Sequence, residues 1–191
     1  MRPLCAAFED DAEADALGNT LMLGPALLAC PVVEPGDRDV WLHLPAGPEC
    51  WFDFYTEERL AAGGPAVLAA PLDRLPLAVP AGAILPMTDP GGDFSRLHDE
   101  PSRLVRVFPG PGEGASAFTL VEDDGLSEDG PTAWLRFNLS WSTEMVTLDC
   151  VVEGDYKLPF ERVMVALPRA DRRALALVGT GVTLARGSFR P

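Results

Sequence analysis

Hydrophobic and polar positions alternate most regularly in the second half of the chain. Leu135, Phe137, Leu139 and Trp141 fall on one face of an extended segment, with Arg136, Asn138 and Ser140 on the other. Val146, Leu148, Cys150 and Val152 repeat the pattern against Thr147, Asp149 and Glu153, and Val163, Val165 and Leu167 supply a third strand. Period-two alternation over successive hairpins predicts antiparallel sheets with one wet face. In the first half, Leu27–Val33 is a continuous apolar run, and Val40, Leu42 and Leu44 alternate with Trp41 and His43. Short apolar runs cut by proline and glycine predict many short strands. A single helix is expected, over Glu9 to Leu17, with Gly18-Asn19 as its stop.

Between Pro71 and Pro90 there are prolines at 71, 76, 80, 86 and 90. Each removes a ladder donor, so this stretch reads as edge strands and extended crossings. Gly91 to Pro101 is polar and reads as a linker, which puts a domain boundary near residue 95. The expected fold is all-β: two small antiparallel β-sandwiches.

Composition narrows the function classes. The 191 residues carry 15 Lys+Arg against 29 Asp+Glu, a formal net charge of −14. Binding to phosphate backbones requires clustered Lys and Arg, so nucleic acid is excluded, as is an anionic membrane surface. The charge is uneven, with six of the bases and only two of the acids beyond residue 160. Pairing of this basic end with the acidic body is expected. A chain of this length can bury roughly 70% of its unfolded surface and needs no disulfide staples. Cys5, Cys30, Cys50 and Cys150 form no C-x-x-C pair and sit among apolar neighbours, as reduced buried thiols do. With no signal-peptide pattern at the N-terminus, the expected location is cytoplasmic.

Candidate chemistry is sparse. The chain has no G-x-S-x-G, no H-E-x-x-H and no phosphate-binding glycine loop. Gly110-Pro111-Gly112-Glu113-Gly114 reads as a tight turn. Glu122, Asp123 and Asp124 precede Gly125 and read first as a turn. Their second reading is a site for a hard cation such as calcium, which takes carboxylate and carbonyl oxygens. Adjacent residues of an extended chain point to opposite faces, so these acids are poorly placed to flank one scissile bond. Trp51-Phe52-Asp53-Phe54-Tyr55 reads first as core packed against Trp41. Its alternative is a sugar-stacking platform made of Trp41, Trp51, Phe52 and Tyr55.

At this aromatic cluster a resemblance becomes visible. Met22-Leu23-Gly24-Pro25-Ala26-Leu27-Leu28-Ala29-Cys30-Pro31-Val32 resembles the "MLGPDLLVAPV" segment of glycoside hydrolase family 31, the α-glucosidase and α-xylosidase family. Leu44-Pro45-Ala46-Gly47 through Thr56 is similar to "LPAGTWYDFWTG", and the stretch from Ala70 to Pro86 is similar to "APLDRIPLFVRAGSILPL". Arg106-Val107-Phe108-Pro109-Gly110 with Phe118 to Gly125 resembles "vyPG…ftLYEDDG". The chain departs from these patterns at Ala26, Pro80 and Val121.

The resemblance implies that residues 1–30 are a helix/strand remnant of the end of a (β/α)8 catalytic barrel. It assigns 31–95 to the family's proximal C-terminal sandwich and 96–191 to the distal one. The family's nucleophile and acid/base aspartates lie upstream of everything present, so no catalytic residue carries over and no cofactor is implied. A retaining glycosidase needs two carboxylates about 5 Å apart across the sugar. The implied partner is the catalytic barrel, in the same or another polypeptide. Residues 21–33, without a barrel to pack on, are expected to be exposed and to drive self-association. The runner-up is a free-standing carbohydrate-binding module, and a third option is one chain of a split α-glycosidase.

Overall fold

A computed structural model describes residues 1–14, 18–87 and 102–189. The polar stretch 91–101, with the boundary expected near 95, lies outside the described residues. The chain divides into two compact units, Met1–Ala83 and Ile84–Pro191.

In the first unit a six-stranded sheet has the order β1 (Arg2–Pro3), β2 (Leu21–Leu23), β3 (Leu27–Ala29), β8 (Leu77–Pro80), β5 (Trp51–Asp53), β6 (Arg59–Leu60). Facing it is an antiparallel ribbon of β4 (Asp39–Leu44) and β7 (Gly64–Ala69). Alternation decides which side chains enter the core. Val40, Leu42 and Leu44 of β4 point inward with Leu68 of β7, and meet Met22, Leu28, Trp51 and Ala78 of the larger sheet. Trp41, expected in this core, is 73% exposed, because it occupies the opposite face of β4 from Val40 and Leu42.

Two further expectations are corrected in this unit. Over Glu9–Ala14 the chain makes successive turns, with Asp11 N–H donating to the Phe8 carbonyl and Ala14 N–H to that of Asp11. A helix this short is marginal on its own, and Asp10 and Asp11 are poor helix formers; residues 15–17 lie outside the described set. Residues 21–33 are not an exposed apolar segment. Met22, Leu28, Ala29 and Cys30 are buried, because β2 and β3 pair with each other and β3 with β8.

The second unit packs two four-stranded sheets. One has the order β16 (Thr183–Arg186), β14 (Arg162–Ala166), β10 (Ser102–Phe108), β9 (Ala83–Met87). The other has β11 (Gly114–Glu122), β12 (Ala133–Trp141), β13 (Met145–Gly154), β15 (Ala174–Thr180). Ile84, Val105, Val107, Val163 and Val165 from the first sheet form one core with Leu135, Phe137, Leu139, Val146, Leu148 and Cys150 from the second. The alternation in β12 and β13 falls as the sequence dictates, and β11, β12 and β13 pair antiparallel. The strand carrying Val163 and Val165 does not continue that meander. It crosses to the opposite sheet and runs parallel to β10 and β16, while β15 lies parallel to β13.

Two glycines are demanded by packing. A Cβ at Gly114 would meet the indole of Trp141, its register partner, at 2.4 Å. Gly154, with φ +109°, lies where a Cβ would come within 2.1 Å of the Thr132 carbonyl. Phe189, near the C-terminus, is buried with the Arg106 guanidinium 3.8 Å from its ring centroid, and Phe108 lies on the same cation at 4.7 Å.

Candidate functional site

The aromatic residues of the first unit do not form one surface. Trp51 is fully buried; its Nε1–H donates to the Pro45 carbonyl at 2.9 Å, and its ring packs against Phe8 with centroids 6.1 Å apart. Phe52 is buried beside it. The chain then reverses in a turn held by Asp53, whose Oδ1 accepts the N–H groups of Tyr55 at 2.8 Å and Thr56 at 2.7 Å. Tyr55 is half-buried on this turn, with its hydroxyl donating to the Leu75 carbonyl and the Arg74 guanidinium over its ring. Burial pushes the Tyr55 hydroxyl above its ordinary pKa. The structure therefore leaves Trp41 exposed, takes Trp51 and Phe52 into the core, and ties Tyr55 to a neighbouring loop.

The acidic cluster is a built turn. Glu122 ends β11, and its carboxylate pairs with Arg103, which donates from Nε at 3.1 Å and from Nη2 at 3.3 Å. Asp123 accepts the Gly125 N–H, and Gly125 takes φ +66°. Asp124 Oδ1 accepts the N–H groups of Leu126 and Ser127, while Oδ2 accepts the Ser127 hydroxyl at 2.7 Å. Those bonds favour the ionised form and lower the Asp124 carboxyl to about 2. Both Asp124 carboxylate oxygens and one of Asp123's thus accept hydrogen bonds from the turn itself. Among the described residues no group of three or more His, Cys, Asp or Glu side chains is placed to hold a metal ion.

Two polar clusters were not visible in the sequence. His43, on β4, donates to Asp11 across 2.8 Å in a groove of about 560 Å³ lined also by Phe8, Glu9, Glu13 and Gly63. The imidazole holds the Asp11 carboxyl below its ordinary pKa. In the second unit Arg173 pairs with Asp171 and donates to the carbonyls of Gly110 and Ser142 at 2.9 and 2.8 Å. It thereby pins the turn that follows β10, while its ion pair, with Asp171, stays within the basic C-terminal region. Both clusters join segments distant in sequence, and neither leaves a side chain in a nucleophile–base arrangement. The cysteines are free thiols, with Cys30, Cys50 and Cys150 buried. Burial pushes the Cys150 thiol up to about 12, which removes it as a nucleophile.

Fold and polar clusters together define a tandem β-sandwich module whose organised interactions serve turns and packing. Residues 1–85 match the glycosyl hydrolase family 31 C-terminal domain. The chain is 34% identical over 127 residues to an alpha-xylosidase of Saccharolobus solfataricus, covering 66% of itself and 17% of that protein. It is 28% identical over 186 residues to an alpha-glucosidase of Aspergillus niger, covering 95% of itself and 19% of that protein. Among solved structures, a family 31 alpha-xylosidase from Xanthomonas citri superposes with a TM-score of 0.71 at 28% identity, covering 90% of this chain and 18% of that one. A family 31 dextranase from Flavobacterium johnsoniae gives 0.66 at 28% identity, covering 75% and 18%. The chain thus spans less than a fifth of the length of these relatives.

Proposed function

We propose that this chain is the non-catalytic C-terminal portion of a family 31 α-glycosidase and acts by supporting the enzyme's (β/α)8 barrel. The observation that carries the reading is the match of residues 1–85 to the family's C-terminal domain, in a chain that spans less than a fifth of these relatives. The two compact units correspond in this reading to the family's proximal and distal sandwiches. The barrel is supplied in the same or another polypeptide, and its aspartates perform the cleavage. What remains of the 21–33 segment for self-association is Leu23, Val32 and Val33, the exposed apolar residues of that stretch.

A carbohydrate-binding module is the competing reading, and calorimetry separates the two. Titration with maltose or isoprimeverose is expected to give no heat beyond dilution. Saturable heat that disappears in Trp41→Ala would replace the supporting role with sugar binding.

A further inference from the structure

The outer face of the β4–β7 ribbon is apolar at its centre and acidic at both ends. Register partners of an antiparallel pair share a face, so Trp41 stands beside Val67, Asp39 beside Ala69 and His43 beside Pro65. Trp41 is 73% exposed and Val67 46%, while Val40 and Leu42, on the opposite face, are core. At one end the ribbon is entered through Glu34, Asp37 and Asp39, all exposed and offset by Arg38 alone. At the other end His43 is bonded to Asp11, whose neighbours Glu9, Asp10 and Glu13 are exposed on the N-terminal turns. The backbone beneath is braced along its length. Six residue pairs are in register, and the Gly63 and Ala70 N–H groups donate to the Leu44 and Arg38 carbonyls, each at 2.8 Å. Covering the indole therefore costs little backbone freedom.

A braced tryptophan between carboxylates fits a guanidinium. The indole face attracts a cation, a flat guanidinium stacks on it, and the flanking carboxylates accept its N–H groups. This chain makes the ring contact internally as well, with Arg74 over Tyr55 and Arg103 over Phe160, each 5.0 Å from the centroid. A supply of such groups lies beyond residue 160, where six bases, all of them arginine, stand against two acids. Arg173 pairs with Asp171 inside that region, while Arg162, Arg172 and Arg186 are exposed. Complementary surfaces are thus present on one chain, acidic and aromatic in the first unit and cationic in the second.

We infer that the outer face of the β4–β7 ribbon docks the arginine-rich C-terminal region of a second copy of this chain, with a guanidinium stacked on Trp41. Two ribbons placed face to face would set Glu34, Asp37 and Asp39 against their own copies, in a chain of net charge −14. The contact is therefore heterologous: each copy offers its ribbon to one neighbour and its arginines to another.

Sedimentation velocity of the full chain tests this. Wild type is compared with Trp41→Ala and with Arg162→Gln/Arg172→Gln/Arg186→Gln. Every replaced side chain is exposed, and unchanged melting temperatures verify that both variants are folded. At low ionic strength wild type is expected to associate as its concentration rises, and salt at about 0.5 M to weaken that association at least about tenfold. Each variant alone stays monomeric over the same range. An equimolar mixture of the two variants pairs, because one keeps the intact ribbon and the other the intact arginines, which only a heterologous contact allows. Wild type that remains monomeric at low salt up to about 1 mM overturns the inference. So does association that salt leaves unchanged or strengthens, association that either variant retains, or a mixture that does not pair. Association lost instead in Leu23→Asp/Val33→Asp assigns the contact to residues 21–33 and likewise overturns it.

Discussion

His43 Nε2 lies 2.8 Å from Asp11 Oδ2, so one end of the β4–β7 ribbon is joined to the N-terminal turns across 32 positions of sequence. This pairing sets a pH dependence with a definite sign. Its partner lowers the Asp11 carboxyl, so the stabilisation is fully present above the unfolded value of 3.8 and is lost as pH falls through the lower, folded value. Thermal melts of His43→Ala should fall below wild type by about 4 °C at neutral pH. The gap should narrow as the pH drops below 3.8. A gap that widens in acid would mean that Asp11 is not the group responsible.

The two tryptophans of the first unit should respond oppositely to truncation. Trp51 is fully buried with a satisfied indole N–H, so Trp51→Ala should cost about 3–5 kcal/mol in urea unfolding. Trp41 is exposed on the outer face of β4, and Trp41→Ala should stay within about 0.5 kcal/mol. Comparable losses at both positions would place Trp41 in a packed environment that this fold does not give it.

Gly154 closes β13 under the Thr132 carbonyl with φ +109°. Gly154→Ala adds a methyl group against backbone that cannot move aside, in a conformation that L-residues rarely adopt. Chemical denaturation should show a loss of at least about 2 kcal/mol. A neutral result would mean that the β12–β13 register differs from the one described.

The turn at Asp124 should ignore calcium. Its oxygens already accept three hydrogen bonds from Leu126 and Ser127, which is also why its carboxyl lies at about 2. Melting with millimolar calcium and with chelator should give the same midpoint. A rise with calcium that Asp124→Asn removes would restore the cation reading.

Much of this fold was legible in the sequence, because alternation is enforced by burial. Leu135, Phe137 and Leu139 face the core for the same reason that Arg136 and Asn138 do not, and the same rule places Trp41 outside between Val40 and Leu42. Hydrophobicity alone argues for burying a tryptophan, and at Trp41 the pleat overrules it. Alternation marks which face of a strand is wet, but not the sheet to which the strand belongs. The crossing of the Val163–Val165 strand to pair parallel with β10 therefore left no local trace. The same holds for the polar links. The Asp123–Gly125 turn is local, and its chemistry is written in adjacent residues. Asp11–His43 and Arg173–Gly110 are closed by tertiary structure, and neither partner carries a motif that names the other.

The supporting role is tested most directly by incubating the purified chain alone with aryl α-glucosides and α-xylosides and measuring phenol release. The account places both catalytic carboxylates on the barrel and predicts no release above buffer. Turnover by the isolated chain, abolished by replacing one of its own carboxylates, would contradict it.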